Sequence, residues 1–270
     1  MADDPAQPAR YARVPALSFF FPAHNEAANL EALVDEALAT LPGLADDFEI
    51  IAVDDGSRDD TPQIADRLAA SHDRVRVVHH EVNRGYGAAL GSGFAASRHP
   101  LICFLDGDRQ FKVEDVGRLL ERLAADDRPD AVVGYRLQRA DPFIRLLYAR
   151  VYRLCLRIFF GLRVRDPDCA CKLFRREALR GIAIESGGAF MSAELLIKLT
   201  QRGRRLAETG VPHYPRTAGS PTGARPSVVL RAVKDFWLLR LRLWANRPRT
   251  LKRGQPILGS QPLEDEPPVG

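Results

Sequence analysis

Apolar runs and amphipathic segments alternate along the first half of the chain. Short apolar runs typical of strands cover residues 17–21, 48–53, 75–78, 101–105 and 131–133. Between them, apolar residues recur at helical spacing over 27–41, 59–71, 86–97 and 113–125. Strands that alternate with helices in this way predict βαβ units, and therefore an α/β fold with a mostly parallel central sheet flanked by helices.

The second half of the chain follows a different pattern. It predicts helices over 142–160, 192–202 and 228–245, a strand over 205–212, and a loop rich in Pro, Gly, Ser and Thr over 214–226. Residues 1–13 and 254–270 show no periodicity. We therefore expect a flexible N-terminus over 1–13, one α/β domain over 14–227, an amphipathic helical segment over 228–253 and a disordered acidic tail over 254–270.

Polar clusters follow directly on three of the predicted strands. They are residues 24–26 (His-Asn-Glu), 54–57 (Asp-Asp-Gly-Ser) and 106–108 (Asp-Gly-Asp). The carboxyl ends of parallel strands lie along one edge of a sheet, and ligands of open α/β sheets bind outside that edge. The sequence thus predicts that three acidic clusters meet at one edge.

Clustered carboxylates repel one another unless positive charge lies among them. An Asp-X-Asp at a strand end directs two carboxylates to nearly one place, which suits a hard cation such as Mg²⁺ or Mn²⁺. Asp106 and Asp108 are therefore predicted metal ligands, and the cation would neutralise a leaving diphosphate. The alternatives are an ordinary surface loop for residues 106–108 and a turn with a helix cap for residues 54–57.

The composition is that of an ordinary globular protein. Of 270 residues, 46% are hydrophobic and 27% are charged, which excludes wholesale disorder. No uncharged apolar stretch approaches the ~18 residues of a membrane span, and the N-terminus has no secretory signal pattern. Four cysteines in this length make no disulfide framework. We expect a cytoplasmic chain.

The net charge of +4 comes from one segment. Residues 228–253 contribute +7 and residues 254–270 contribute −3, so residues 1–227 are neutral. This distribution argues against a nucleic-acid partner. Trp237 and Trp244 lie on the apolar face of the predicted helix, and Arg231 and Lys234 lie opposite. Such a helix is typical of peripheral membrane contact, and the alternative is packing on the domain or on a second subunit of a homo-oligomer.

Four motifs occur in one order: residues 22–26 (Pro-Ala-His-Asn-Glu), 53–61, 83–85 (Asn-Arg-Gly) and 104–111. Together they resemble the family-2 inverting glycosyltransferases, which have the GT-A fold. Within that family the chain looks most like the polyprenyl-phosphate branch of dolichol-phosphate mannose or glucose synthases. The resemblance covers roughly residues 15–225, and it implies a role for each matching residue.

On the donor side the resemblance implies a nucleotide-sugar of the GDP-mannose or UDP-glucose type. The donor-binding positions are Pro22, Asn25, Glu26, Asp54, Asp55, Arg84, Gly85, Asp106 and Gln110. Asp106 and Asp108 would hold Mg²⁺ or Mn²⁺, and Arg216 matches the loop that folds over the diphosphate.

On the acceptor side the resemblance implies a polyprenyl phosphate. Arg136 and Arg145 match positions that grip the lipid phosphate, and Lys172 lies in a segment (172–175) that closes over the acceptor. Glu194 matches the acidic residue that faces the sugar; a surface ion pair with Lys198 is the alternative. The segment 169–171 (Cys-Ala-Cys) departs from the family pattern, and so does the sequence around His213.

These departures leave the acceptor open. A phosphate acceptor is ionised at pH 7 and needs no general base, whereas an alcohol of a glycolipid or small metabolite needs one, with Glu194 the candidate. A non-catalytic nucleotide-sugar-binding protein is a further alternative. A nucleotidyltransferase would carry a Gly-rich, Lys-bearing loop after the first strand. Residues 22–26 are Pro-Ala-His-Asn-Glu instead, which argues against that class. We expect hexose transfer to a polyprenyl phosphate at the inner face of the membrane, with the enzyme attached peripherally.

Overall fold

The computed structural model describes residues 11, 13–125, 127–137, 143–216 and 226–245, with only the backbone of 143–147 and 226–227. Seven strands form one sheet in this part of the chain. They are β1 (Val14–Ala23), β2 (Ala45–Asp54), β3 (Val75–His79), β4 (Leu101–Phe104), β5 (Ala131–Arg136), β6 (Lys172–Arg175) and β7 (Leu206–Val211).

Helices connect the strands. They are α1 (Ala27–Thr40), α2 (Thr61–Ser71), α3 (Tyr86–Ala96), α4 (Val116–Leu123), α5 (Phe143–Phe160), α6 (Arg176–Leu179), α7 (Met191–Gln201) and α8 (Pro226–Ala245). Within the described residues, no helix is both long enough and apolar enough to cross a membrane. The predicted disordered tail (254–270) and most of the predicted flexible N-terminus (1–13) lie outside the described residues.

The strand order is β3-β2-β1-β4-β6-β5-β7, and all neighbours are parallel except those of β6. This confirms the predicted α/β class. The sequence analysis missed β6 and the short α6. Residues 172–175, expected in a segment that closes over an acceptor, instead form an inner strand antiparallel to both β4 and β5.

The core explains why the first strand is so rich in phenylalanine. Phe19, Phe20 and Phe21 are all fully buried, and successive side chains of a strand face opposite sides, so both faces of the sheet are covered. The ring of Phe20 packs against Phe94 of α3 with a centroid distance of 5.0 Å. A Cβ at Gly93 would lie 2.2 Å from the Phe20 ring, so glycine is required for α3 to approach β1 this closely.

Candidate active site

The carboxyl ends of β1, β2 and β4 lie side by side, as the sequence predicts. Ala23 pairs with Asp54 across β1 and β2, and Phe20 pairs with Phe104 across β1 and β4. The loops that follow these three strands therefore begin at one edge of the sheet. β5 runs in the same direction as β4, since both are antiparallel to β6, so Arg136 at the end of β5 lies at that edge as well.

The glycine between the two aspartates has a steric reason. A Cβ at Gly107 would lie 2.7 Å from the carbonyl oxygen of Pro22. The loop that carries Asp106 and Asp108 thus passes directly over the end of β1. This contact gives Pro22 its place at the site, through its backbone.

Asp54 and Asp55 are both almost fully buried and hydrogen-bonded. Asp54 accepts from the Ser57 amide at 3.0 Å and contacts His79 Nδ1 at 2.9 Å. Burial raises the pKa of Asp54, but these hydrogen bonds outweigh it and leave the pKa below its ordinary value. The turn that the sequence offered as an alternative for residues 54–57 is therefore present, but α2 begins at Thr61 with no side-chain hydrogen bond at its cap.

Asp55 organises the start of α3. Its carboxylate accepts from the backbone amides of Arg84 and Gly85, each at 2.9 Å, and contacts His80 Nδ1 at 2.6 Å. Gly85 has φ +94°, a conformation that favours glycine. Arg84 is exposed, and it is the backbone amide of Arg84, rather than its guanidinium, that donates to Asp55.

The cluster after β1 is tied to the cluster after β2. Asn25, at φ +57°, accepts from the Arg58 amide at 2.8 Å, and Asn29 Nδ2 donates to Glu26 Oε2 at 2.6 Å. Burial raises the pKa of Glu26. Its other oxygen lies 3.9 Å from an Arg216 nitrogen, which links this loop to the acidic pair.

The two aspartates of the acidic pair have different partners. Tyr86 Oη donates to Asp106 Oδ1 at 2.9 Å. Asp108 accepts from the Gln110 amide at 3.1 Å and forms a 2.5 Å ion pair with Arg216. Burial, and next the like charge of Asp108, raise the pKa of Asp106 to about 7.

The segment that carries Arg216 lies against residues 110–111. The Tyr214 amide donates to the Gln110 carbonyl oxygen at 2.9 Å, and Gln110 Nε2 donates to the Tyr214 carbonyl oxygen at 3.4 Å. The His213 ring lies 5.3 Å from that of Phe111. Gln110 thus joins the acidic pair to the segment that supplies its cation.

The acidic pair fits a divalent cation shared with a substrate diphosphate. No group of three or more His, Cys, Asp or Glu side chains that could hold a metal occurs within the described residues. Mg²⁺ is commonly held by one or two carboxylates plus substrate phosphates, and Asp106 with Asp108 supplies those two. The guanidinium of Arg216 on Asp108 shows that this carboxylate attracts positive charge when the protein is alone.

A second, basic cluster lies at the end of β5. Arg136 forms a bidentate ion pair with Asp166, with N···O distances of 2.7 and 2.8 Å. Beside it is a cavity of about 290 Å³, lined by Tyr135, Arg136, Ala149, Arg150, Arg153, Arg165 and Asp166. We call this the arginine cavity. Four arginines and one carboxylate are among the lining residues, so the cavity suits an anion.

Of the other two residues predicted to bind an acceptor phosphate, the structure describes the side chain of one, Lys172. The side chain of Arg145 lies outside the described residues. Lys172 is almost fully buried, where its ammonium group bonds the Cys169 carbonyl oxygen and, at 2.7 Å, the Ser192 hydroxyl. Burial lowers the pKa of Lys172. The structure therefore brings Arg136 to the cavity and encloses Lys172 within the protein.

Glu194 is completely buried on α7. Its two oxygens accept from the amides of Glu185 and Ser186, at 3.0 and 2.8 Å, and pair with Lys198 at 2.5 Å. The ion pair with Lys198, which the sequence analysis gave as the alternative for Glu194, is present, but it is buried rather than on the surface. Each oxygen of the carboxylate thus already has a partner within the protein.

The loop that Glu194 holds touches the donor side. The Gly187 carbonyl oxygen accepts from the Gly87 amide at 3.2 Å, and a Cβ at Gly85 would lie 2.7 Å from that same oxygen. Glu194 thereby supports the first turn of α3 through the loop that it holds. This arrangement is that of a positioning group.

Several residues at the site were not predicted. Tyr86 and His80 contact the predicted carboxylates, and Arg165 lines the arginine cavity. The sequence contained a signal for Arg150 and Arg153, because they form one basic stripe on the predicted helix 142–160. It contained none for Arg165, which stacks on Tyr135 at 4.6 Å from 30 residues away in sequence.

The comparisons with known proteins agree with this geometry. The family model "Glycosyl transferase family 2" matches residues 18–182. The chain is 33% identical over 254 residues to glycosyltransferase AglD of Haloferax volcanii, which covers 90% of this chain and 40% of that protein. It is 33% identical over 207 residues to the undecaprenyl-phosphate 4-deoxy-4-formamido-L-arabinose transferase of Pseudomonas aeruginosa, covering 75% and 59%.

A third relative is dolichyl-phosphate beta-glucosyltransferase ALG5C of Trichomonas vaginalis, 32% identical over 185 residues, with 60% of this chain and 52% of that protein covered. The chain thus spans between about two fifths and three fifths of the length of these relatives.

Solved structures give the same fold. Glucosyl-3-phosphoglycerate synthase from Mycobacterium tuberculosis, crystallised with Mn²⁺, uridine diphosphate and glucosyl-3-phosphoglycerate, superimposes with a TM-score of 0.66 at 23% identity. The match covers 84% of this chain and 80% of that one, and it confirms the expected GT-A fold. The family match covers more than half of the chain, and the strand-end motifs that led to the expectation lie within it. The chain therefore belongs to glycosyltransferase family 2.

Proposed function

We propose that this enzyme transfers a hexose from a nucleotide diphosphate sugar, of the GDP-mannose or UDP-glucose type, to the phosphate of a polyprenyl phosphate. The observation that carries the proposal is the position of the arginine cavity, at the same sheet edge as the acidic pair. The names of two relatives, an undecaprenyl-phosphate transferase and a dolichyl-phosphate glucosyltransferase, support this acceptor class.

On the donor side, Asp106 and Asp108 would hold Mg²⁺ or Mn²⁺ together with the donor diphosphate. The cation would neutralise the charge that develops on the leaving diphosphate. Asp54, Asp55, Asn25, Glu26 and the start of α3 would form the wall on which the nucleoside rests, and Gln110 would lie beside the sugar. Arg216 pairs with Asp108 in the protein alone, and its fork suits diphosphate oxygens equally well.

On the acceptor side, the arginine cavity would bind the ionised phosphate, which then attacks the anomeric carbon from the face opposite the diphosphate. A phosphate at pH 7 needs no general base. An alcohol would need one, and the candidate, Glu194, already uses its oxygens on Lys198 and two backbone amides. This favours a phosphate over a hydroxyl acceptor. We propose Arg136 and Arg145 as phosphate ligands, and Lys172 and Glu194 as groups that position the site.

Membrane contact would bring the acceptor to the cavity. Ten of the exposed large apolar residues of α5 and α8 form what we call the apolar face: Tyr148, Val151, Leu154, Ile158, Val229, Leu230, Val233, Trp237, Leu241 and Trp244. The two helices touch, since the rings of Phe159 and Trp237 lie 5.2 Å apart. Basic residues flank this face, and each contributes ~1 kcal/mol near anionic lipid. We propose peripheral binding to the cytoplasmic face of the membrane.

The test is a transfer assay with radiolabelled nucleotide sugars, Mn²⁺ or Mg²⁺, and a polyprenyl phosphate in detergent or vesicles. We expect label in a lipid that is extractable into organic solvent and labile to mild acid. Arg136→Ala should abolish this label while Glu194→Gln, if it folds, retains most of it.

The converse pattern, with Glu194→Gln inactive and Arg136→Ala active, would indicate a hydroxyl acceptor. Donor hydrolysis without lipid labelling would keep the donor assignment and refute the acceptor. Nucleotide binding with neither transfer nor hydrolysis would refute the proposal in favour of a binding protein.

A further inference from the structure

The side chain of His80, the residue that follows β3, joins two elements of the donor side. The side chain is 3% exposed. Its Nδ1 lies 2.6 Å from Asp55 Oδ1, and its Nε2 lies 2.8 Å from the hydroxyl oxygen of Ser92, on α3. Because a carboxylate only accepts, Nδ1 carries the hydrogen of the first contact, and the Ser92 hydroxyl completes the second.

Asp55 and His80 together hold α3 at two places. Asp55 accepts from the Gly85 amide at 2.9 Å, which fixes the first turn of the helix, and His80 holds Ser92 two turns further on. The orientation of α3 matters for the acidic pair, because Tyr86 in its first turn donates to Asp106 at 2.9 Å. A rotation of α3 about its first turn would therefore displace the hydroxyl that orients Asp106.

The neighbouring histidine makes no such link. His79 contacts Asp54 at 2.9 Å and Asp66 of α2 at 3.0 Å, and its side chain is 37% exposed. His79 is the last residue of β3 and His80 is the next residue, and each contacts one of the paired aspartates. Only the contacts of His80 reach the helix that carries Tyr86.

We infer that His80 is a positioning residue for sugar transfer: through Ser92 it sets the orientation of α3, so that Tyr86 holds Asp106 in place. The inference rests on the proposed function, which supplies the donor reaction. The inference gives His80 two roles. Its contact with Asp55 holds a carboxylate of the proposed nucleotide-binding wall, and its contact with Ser92 positions Asp106 through α3 and Tyr86.

Substitutions can separate the two contacts. In His80→Asn, the side-chain amide can still reach Asp55, as Nδ1 does, but it is too short to reach Ser92. Ser92→Ala removes the same link from the other side, and His80→Leu removes both contacts. His72→Gln is the control, since His72 precedes β3 at the opposite edge of the sheet.

The full chain is assayed for donor turnover with Mn²⁺ and for the Kd of the nucleoside diphosphate. We expect His80→Asn and Ser92→Ala each to lower kcat about tenfold while the Kd changes by less than about twofold. Because both substitutions remove the same hydrogen bond, the kcat of the double variant should be no lower than that of either single variant. His80→Leu should in addition weaken nucleotide binding, and His72→Gln should match the wild type.

Unchanged kcat in His80→Asn and Ser92→Ala, with only a lower thermal midpoint, would overturn the inference and leave His80 as a stabilising contact. Losses that multiply in the double variant would overturn the shared link. If the wild type turns over no donor, the proposed function fails and the inference fails with it. An active wild type with indifferent variants refutes the inference alone.

Discussion

The proposed donor region (residues 13–125 with 213–216) and the proposed acceptor region (residues 127–137, 143–212 and 226–245) hold their charged groups differently. In the donor region, the carboxylates of Asp54 and Asp55 are almost fully buried and accept hydrogen bonds from backbone amides of neighbouring loops. In the acceptor region, guanidinium groups line a cavity, and Asp166 is the one carboxylate among its lining residues. The carboxylates proposed to bind the donor are thus built into the sheet edge, whereas the residues that line the proposed acceptor cavity carry a surplus of positive charge.

The difference suggests what each region is built to do. Carboxylates fixed by amides are held in one geometry before the substrate arrives, which suits a ligand whose base, sugar and diphosphate must be aligned. Arginines on a helix face and a loop tolerate a ligand recognised mainly by its charge. A lipid phosphate on a mobile chain is such a ligand.

The strongest test of the donor region is Asp108→Asn. Loss of this carboxylate removes half of the acidic pair and its ion pair with Arg216, so we expect transfer to fall by about 100-fold or more. The measurement is the initial rate of transfer with Mn²⁺. Asp73→Asn, at an exposed position on the opposite edge, serves as the matched control and should match the wild type. A rate within about twofold of the wild type would contradict the assignment of Asp108.

The acceptor region is tested by Arg150→Gln together with Arg153→Gln. These changes remove charge from the arginine cavity without exposing Asp166, so the KM for the lipid phosphate should rise by roughly tenfold. The KM for the nucleotide sugar should stay constant, because the donor region is untouched. Arg122→Gln is the control, since Arg122 lies in the donor region and its ion pair with Asp127 is at the surface. Equal rises in both KM values would contradict the assignment of donor and acceptor binding to separate regions.

We expect membrane binding to depend on the apolar face of the acceptor region and not on the surface of the donor region. Trp244 and Leu230 are 67% and 71% exposed on the apolar face. Changing both to Ser should weaken binding to anionic vesicles several-fold, since each large side chain loses its burial in the bilayer interface. Cosedimentation measures the loss. Val82→Ser, at an exposed apolar residue of the donor region, should have no effect, and equal loss there would refute the apolar face as the contact.

The smallest expected effect is on pH-dependent stability in the donor region. Asp115 is buried, its Oδ2 has no hydrogen-bond partner, and burial raises its pKa to about 6. A carboxyl group with a raised pKa in the folded protein contributes stability at low pH, and this is lost as the pH rises through 6. Asp115→Asn should therefore shrink the fall in thermal midpoint between pH 5 and 7.5 by roughly 2–4 °C. An unchanged fall would refute the assignment.

The two regions also differ in how far the sequence predicts them. The donor motifs follow directly on strands, so one topological rule places residues 24–26, 54–57 and 106–108 together. The acceptor region depends on pairing between distant segments. Lys172 has a conspicuous charge, yet its burial follows from the insertion of β6 between β4 and β5, which a four-residue strand does not reveal. The spacing of Glu194 and Lys198 predicts their ion pair, but its burial depends on the loop at 185–186.

The placement of β6 has a consequence for how the chain comes together during synthesis. Strands β1 to β4 come from the first 104 residues and form a contiguous parallel block, in which only β4 also pairs with a later strand, β6. β5 is made next, but it has no place beside β4 until residues 172–175 arrive and pair with both. Until then the nascent protein carries an unpaired apolar edge along β4, and such edges favour aggregation. The emergence of this one short strand is therefore the step at which we expect the open edge of β4 to be covered; the outer edge of β5 is then covered by β7.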